Sequence, residues 1–98
     1  MQRETALAAL RNNRRRFADH GVSRLAVFGS VARDEATEAS DVDILVEFRP
    51  DAHIGLFEFA RLRRDLAELL GCEVDLVTPE ALHPSMRNEI LQEAVYAG

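Results

Sequence analysis

Residues 28–48 read FGSVARDEATEASDVDILVEF, and this stretch decides the predicted fold. It continues the apolar run of residues 24–28, which lacks polar alternation and therefore predicts a strand covered on both faces. A Gly-Ser pair ends that strand, and residues 31–40 are small and acidic, which predicts a helical turn and a loop. Residues 41–48 then alternate between apolar and polar side chains. The alternation predicts a second strand with one face in the core and carboxylates on the other.

Three helices and one further strand are predicted around these two strands. Apolar residues recur at helical spacing in three segments, with Gly or Pro at their boundaries. The resulting order predicts an α+β fold with two layers, a small mixed sheet of about three strands flanked by helices. No segment has the composition of a linker, so residues 1–98 are expected to form a single domain. The predicted bounds are helix 3–19, helix 55–70, strand 73–77, and a last helix from Pro84 to about Tyr96 with Met86, Ile90 and Ala94 along one side.

The composition excludes several classes of function. Seventeen acidic and twelve basic residues give a net charge of −5, which argues against a general nucleic-acid binder. All twelve basic residues are Arg, so Lys Schiff-base chemistry and a P-loop that depends on its Lys are excluded. The single Cys72 can form neither an internal disulfide nor a cysteine-rich zinc site. No apolar run approaches the roughly 20 residues of a membrane span and no secretory signal begins the chain, so the cytoplasm, and no membrane, is expected.

Three Asp residues form a candidate metal site. Asp41 and Asp43 are two apart on a predicted strand, so their Cα atoms lie roughly 6.6 Å apart and both side chains leave the same face. Glu47 shares that face but lies roughly 13 Å further along. Asp75, on the third strand, would complete a three-carboxylate cluster if the two strands are neighbours. Because each like-charge pair at about 4 Å costs on the order of 4 kcal/mol at an effective dielectric of 20, such a cluster would bind a cation or raise its pKa values.

Two interpretations of these carboxylates compete. Hard oxygen ligands that leave coordination positions open suit a bound Mg²⁺ or Mn²⁺. Alternatively, the three Asp residues are solvated surface carboxylates. The Gly29-Ser30 pair favours the first interpretation. Gly allows close approach of the backbone, and free amides with the Ser hydroxyl can hydrogen-bond a phosphate. Taken alone, a Gly-Ser pair favours a plain turn and an N-cap, and it is the position of this pair ten residues before Asp-any-Asp that favours a phosphate site. Arg33 could add a phosphate contact or be a solvated helix charge.

The combined pattern of Gly-Ser, a spacer and Asp-any-Asp resembles the signature of the DNA polymerase β-like nucleotidyltransferase superfamily. Within it, the chain looks most like the minimal nucleotidyltransferase (MNT) family, over nearly its whole length. Asp34 departs from the pattern, because MNT proteins commonly have Gly there. If the position needs a positive φ, Asp tolerates it less well than Gly, and its charge near a triphosphate would oppose nucleotide binding. The matching segments are FGS (28–30), AR (32–33), SDVD (40–43), VDLV (74–77), EIL (89–91) and EAVY (93–96).

This resemblance implies a polymerase β-like fold and a two-metal nucleotidyl transfer. Asp41 and Asp43 would hold two Mg²⁺ ions, with Mn²⁺ as an alternative. Gly29 and Ser30 would cradle the phosphates of ATP or another nucleoside triphosphate. Asp75 would bind the catalytic ion and help to deprotonate the acceptor hydroxyl. A triphosphate brings about four negative charges to an anionic cluster, so transfer without a divalent metal is implausible.

The resemblance also implies a protein partner. MNT proteins of this size are typically the antitoxin of a type VII-like toxin–antitoxin pair, whose toxin is an all-helical HEPN-domain protein, and they can transfer AMP from ATP to a Tyr of that toxin. Two alternatives stay open. The chain could be a catalytically weak antitoxin that neutralises its toxin by binding alone, or a nucleotidyltransferase for a small molecule or an RNA end, although the acidic balance argues against RNA. The sequence leaves open whether it assembles with a partner or with itself.

Overall fold

A four-stranded sheet with helices on both faces makes up the structure, a computed structural model that describes residues 1–97. In chain order the elements are α1 (Arg3–Asn12), α2 (Arg14–Ala18), β1 (Val22–Phe28), α3 (Gly29–Ala32), β2 (Val42–Phe48), α4 (Leu56–Leu70), β3 (Val74–Val77), a 3-10 turn (Pro79–Ala81), α5 (Pro84–Glu93) and β4 (Val95–Tyr96). α4 ends at Gly71, whose φ of 70° makes the left-handed cap that Gly favours. Within residues 1–97, no helix combines the length and apolar character needed to cross a bilayer.

The strand order of the sheet is β3-β2-β1-β4. β1 runs antiparallel to both of its neighbours, whereas β2 and β3 are parallel and are joined by the α4 crossover. The register pairs Phe28 with Asp43 and Asp43 with Asp75. The last residue of β1 and the first residues of β2 and β3 therefore meet at one end of the sheet. We call this the carboxylate end.

The alternation of β2 divides its side chains between two apolar cores. Val42, Ile44 and Val46 are buried in the larger core, on the face covered by α1, α2 and α4. Leu45 is buried on the opposite face, where it packs with Ile90 of α5 in a smaller core. The predicted burial of β1 on both faces is confirmed, because its residues contribute to both cores. The helical residues of the larger core include Ala6, Leu7, Leu10, Phe17, Leu62, Leu66 and Leu70.

β4 is the element that the sequence does not predict. The last helix is expected to run to about Tyr96, but α5 ends at Glu93 and Val95 and Tyr96 pair with Val27 and Ala26 of β1. The prediction of about three strands is thereby corrected to four. A β-branched and an aromatic residue favour extended structure, but two residues are too few for a recognisable alternation.

Two details of the helices also differ from the prediction. The expected helix over residues 3–19 is interrupted at Asn13, whose side-chain amide donates a hydrogen bond of 2.7 Å to the carbonyl of Ala9. Such side-chain bonds to the backbone compete with helix continuation. Met86, expected on the apolar side of the last helix, is 54% exposed, because only Ile90 of α5 is buried beneath that helix.

Candidate active site

Asp43 and Asp75 stand side by side at the carboxylate end of the sheet. They are register partners in a parallel pair of strands, whose usual spacing is roughly 4.8 Å. The residues on either side of each Asp point into the larger core, so both carboxylates leave the opposite face. Asp41 precedes β2 and is exposed. The strands that carry Asp43 and Asp75 are thus neighbours, as the three-carboxylate hypothesis requires.

Gly29 lies directly against the carboxylate of Asp43. Its φ is 70°, and a Cβ atom at this position would come within 2.1 Å of Asp43 Oδ2. Both the left-handed backbone and the missing space therefore require Gly. Ser30 follows it and is partly exposed, and its hydroxyl makes no hydrogen bond to any other residue of the described chain, 1–97. The Gly-Ser turn and the carboxylates consequently share one small site.

The charge at this site is not balanced by the protein. Burial is the largest cause that raises the pKa of Asp43 above its ordinary value, and the negative charges of Asp75 and Asp41 raise it further. Glu93 acts in the same direction, whereas the positive charge of Arg33 lowers the pKa. An additional cation would relieve this repulsion.

The donor set suits a hard divalent cation, because carboxylate oxygens are the ligands that Mg²⁺ and Mn²⁺ prefer. Among residues 1–97, no three Asp, Glu, His or Cys side chains are already gathered around one metal position. Like charges keep such side chains apart, and a bound cation would offset that repulsion. Asp43 with Asp75 beside it and Asp41 nearby fits such a group in chemistry and in placement.

Arg33 is engaged by two carboxylates. Its Nε donates to Glu35 Oε2 at 3.2 Å, and its Nη1 donates to Glu93 Oε1. Glu93 is the last residue of α5, and its pairing ties that helix to the turn that follows α3. Sequence reasoning did not assign Glu93 to the site. Only its inclusion in the EAVY segment of the resemblance could have drawn attention to it.

Asp34 has the positive φ that was considered for it, at 56°. Its charge is directed to the N-terminus of α1, where Oδ1 accepts a hydrogen bond of 2.9 Å from the backbone N–H of Arg3. The guanidinium of Arg3 lies 3.7 Å from Oδ2 and also donates to the carbonyl of Ala32 at 3.0 Å. This carboxylate is thus balanced by a helix N-terminus and by an Arg.

Glu47 shares the face of Asp43, but it has other partners. Arg24 binds both of its oxygens, at 3.0 and 2.9 Å, and the hydroxyl of Tyr96 donates to Oε2 at 2.7 Å. The Arg24 guanidinium also lies 4.2 Å from the centre of the Tyr96 ring. The group anchors β4 to the middle of the sheet and leaves Glu47 outside the site, in agreement with its expected distance from the Asp pair.

A mixed sheet whose end brings carboxylates against a Gly-Ser turn is the arrangement expected of a nucleotidyltransferase, an enzyme that transfers a nucleotidyl group from a nucleoside triphosphate to an acceptor with the help of divalent cations. The sequence profile of the Nucleotidyltransferase domain family matches residues 9–97, and the chain belongs to that family. Enzymes of this kind generally use divalent metals. This match, together with the relatives and solved structures described next, confirms the assignment as a nucleotidyltransferase, the MNT resemblance and the α+β fold.

Similar sequences include protein adenylyltransferases. The protein adenylyltransferase MntA of Thermococcus cleftensis is 45% identical over 76 residues, which span 78% of this chain and 75% of MntA. A candidate protein adenylyltransferase of Methanocaldococcus jannaschii is 49% identical over 76 residues, which span 78% of this chain and 80% of that protein.

Similar solved structures extend over the whole fold. A candidate minimal nucleotidyltransferase of 43% identity superimposes with a TM-score of 0.80, over 97% of this chain and 95% of the other. A chain from a crystal structure of a toxin–antitoxin with AMP-PNP superimposes with a TM-score of 0.69. That match covers 100% of this chain and 73% of the other, and at 19% identity it establishes the shared fold alone.

Proposed function

We propose that this nucleotidyltransferase transfers AMP from ATP to a hydroxyl group of a partner protein, with Mg²⁺ as cofactor. The observation that carries the proposal is the contact of Gly29 with Asp43, which has Asp75 beside it in register. A phosphate chain at the turn would lie next to carboxylates suited to hold its counter-ions. The names of two relatives, at 45% and 49% identity, support a protein as the acceptor.

The acceptor in this proposal is a HEPN-type toxin with a Tyr as the modified residue, and the chain acts as the antitoxin. The toxin–antitoxin crystal structures that share this fold support a toxin as partner.

Each site residue has a role in the proposed reaction. Asp41, Asp43 and Asp75 would hold Mg²⁺, which when bound neutralises phosphate charge and makes the acceptor hydroxyl more acidic. Gly29 admits the phosphate chain because it has no side chain, and Ser30 donates its hydroxyl to a phosphate oxygen. The hydroxyl oxygen of the acceptor forms a bond to the α-phosphorus while the bond from the α-phosphorus to the bridging oxygen breaks. The hydroxyl proton passes to Asp75, and pyrophosphate leaves with the bond electrons.

An antitoxin that acts by binding alone had one observation in its favour, the Asp34 carboxylate near the expected nucleotide. In the structure this carboxylate is hydrogen-bonded to Arg3 at the start of α1. Its charge is therefore balanced away from the proposed phosphate path, and we favour the enzyme.

The test is the transfer of AMP to a purified HEPN-type protein from the same organism, which serves as the proposed partner. Purified chain, ATP, Mg²⁺ and partner are incubated, and intact mass spectrometry of the partner is expected to show one or more added AMP groups. Asp43→Asn keeps the size of the side chain and removes its charge, so it should abolish the transfer. Asp51→Asn is the matched control, because Asp51 is 85% exposed and lies beyond the other end of β2.

Two results would reject the proposal: an unmodified partner with the wild-type chain, or undiminished modification with Asp43→Asn. Protection of cells by Asp43→Asn without any transfer would instead identify the binding-only antitoxin.

A further inference from the structure

Glu93 occupies an electrostatically unfavourable position. It is the last residue of α5, where the carbonyl groups give the helix a partial negative charge that disfavours a carboxylate. It also lies close enough to Asp43 for its charge to raise the pKa of that group. Its side chain is only 26% exposed, so water screens it incompletely. A carboxylate placed only for solubility would not need this location.

Arg33 is the cation that compensates Glu93. The same guanidinium also binds Glu35, but the Glu35 side chain is 65% exposed and is therefore screened more strongly than that of Glu93. Arg33 directly follows α3, whose first residue is Gly29. The ion pair with Glu93 thus fixes a cation one helical turn from Gly29, the residue that lies against Asp43.

The residues that precede and follow Glu93 in the chain are both fixed by contacts with the sheet. One turn before it, Ile90 is buried against the sheet with Leu45. After it, Val95 pairs with Val27 of β1, and Tyr96 is anchored through its hydroxyl to Glu47. A side chain between two fixed elements has little freedom to drift, which is what a support for another group requires.

We propose that Glu93 is a positioning residue, which acts through its ion pair with Arg33 to hold that guanidinium beside the Gly29-Ser30 turn, where it contacts the phosphates of the nucleotide. This inference rests on the proposed function. Arg33 can serve both partners, because a guanidinium has more N–H donors than Glu93 and Glu35 use here.

The direction in which neutralisation of Glu93 changes nucleotide affinity distinguishes a positioning role from simple repulsion of the phosphates. If Glu93 only repelled the phosphates, its neutralisation would tighten nucleotide binding. If it positions Arg33, the same change frees the guanidinium to adopt other rotamers and binding weakens. Glu93→Gln keeps the shape of the side chain and removes its charge, so it suits this comparison.

The experiment measures the Kd of the non-hydrolysable nucleotide AMP-PNP in Mg²⁺ by calorimetry. Glu93→Gln is expected to raise the Kd about three- to tenfold, because one charge-assisted hydrogen bond is weakened. Glu89→Gln, the same change on an exposed residue one turn earlier in α5, should stay within about twofold of wild type. In steady state, Glu93→Gln should raise the KM for ATP by the same factor and leave kcat within about twofold. Tighter binding, or an unchanged Kd, would overturn the positioning role.

Exchanging the charges of residues 33 and 93 tests whether nucleotide binding requires the guanidinium to be on residue 33. Arg33→Glu combined with Glu93→Arg keeps an ion pair, so the melting temperature should stay close to that of wild type. Binding of AMP-PNP should remain at least as weak as in Glu93→Gln, because the cation now belongs to α5. Recovery of wild-type affinity in the swapped protein would contradict the inference.

The wild-type measurement separates this inference from the proposed function. Binding of AMP-PNP by wild type, together with an unchanged Kd in Glu93→Gln, would overturn the role of Glu93 and leave the transferase assignment intact. Absence of any binding to wild type in Mg²⁺ would overturn both.

Discussion

The carboxylate of Asp34 caps the first turn of α1 through a hydrogen bond of 2.9 Å to the backbone N–H of Arg3, 31 positions earlier in the chain. The N-cap residue Gln2 makes no side-chain capping bond, so Asp34 supplies from a distance what the local sequence lacks. Asp34, which stands where MNT proteins commonly have Gly, therefore has a structural role at the start of α1.

Asp34 is therefore expected to combine a conformational cost with a compensating bond. Asp34→Gly removes the strain of the positive φ but also removes the capping bond. Because each effect is worth about 1 kcal/mol and they have opposite signs, the free energy of unfolding should change by less than about 1 kcal/mol. Asp34→Ala loses the bond and keeps the strained backbone, so it should destabilise by about 1–2 kcal/mol more than Asp34→Gly. Urea denaturation of the three proteins measures this order. Equal stability of the Gly and Ala variants would contradict it.

Gly29 should tolerate no side chain, for two separable reasons. Gly71 has the same φ of 70° but nothing within 4 Å of the position that a Cβ atom would take, so Gly71→Ala isolates the cost of the backbone conformation, about 1–2 kcal/mol. Gly29→Ala adds the collision with Asp43 and should destabilise further. It should also abolish AMP transfer, whereas Gly71→Ala should retain it. Melting temperatures and the transfer assay together check both statements.

A double-mutant cycle tests the collision itself. In an Asp43→Ala background the carboxylate is absent, and the cost of Gly29→Ala should fall to that of Gly71→Ala. An equal cost of Gly29→Ala in both backgrounds would show that the contact is unimportant.

Most of the fold could be predicted from the sequence, because the spacing of apolar residues along the chain indicates which side chains are buried. The alternation over Val42 to Phe48 and the helical spacing of Leu62, Leu66 and Leu70 correspond to side chains buried in the larger core. β4 was missed because its two residues gain strand structure from pairing with β1, which local sequence does not encode. The break at Asn13 depends similarly on one side-chain bond that competes with the helix.

The placement of the carboxylates was only partly accessible. The spacing predicted Asp41 and Asp43 on one face of a strand, whereas β2 begins at Val42 and Asp41 precedes it. The register that sets Asp75 beside Asp43 is a tertiary property. The partners of Asp34 and Arg33 could not be predicted either. Both contacts join segments far apart in the chain, at separations of 31 and 60 residues, and no local pattern reports such pairs.

Asp43 should make stability depend on pH in a direction set by its raised pKa. Burial and the neighbouring carboxylates make the folded chain bind this proton more tightly than the unfolded chain does. The stability gained in this way is present at low pH and is lost as the pH rises through the folded-state pKa. In a chelating buffer at neutral pH, Asp43→Asn should therefore melt at a higher temperature than wild type. The difference should shrink toward zero as the pH falls to the ordinary Asp pKa of about 3.9.

The control for this pH dependence is Asp51→Asn, whose exposed carboxylate should give no such trend. Addition of Mg²⁺ at neutral pH should raise the melting temperature of wild type more than that of Asp43→Asn, because only wild type keeps all three carboxylates. A lower melting temperature of Asp43→Asn at every pH would contradict the prediction.

Tyr96 should hold β4 to the sheet chiefly through its hydroxyl. Although burial acts to raise the pKa of Glu47, the hydrogen bonds from Tyr96 and Arg24 outweigh it and lower that pKa. Tyr96→Phe keeps the ring under Arg24 and removes one of these bonds, so it should cost about 0.5–1 kcal/mol near neutral pH, at the lower end for a partly exposed pair. Because a lowered carboxyl pKa contributes stability that disappears as the pH falls through the folded-state value, the loss should diminish in acid. Chemical denaturation across this pH range measures the effect, and a loss that is constant with pH would show that the hydroxyl stabilises β4 without the charge of Glu47.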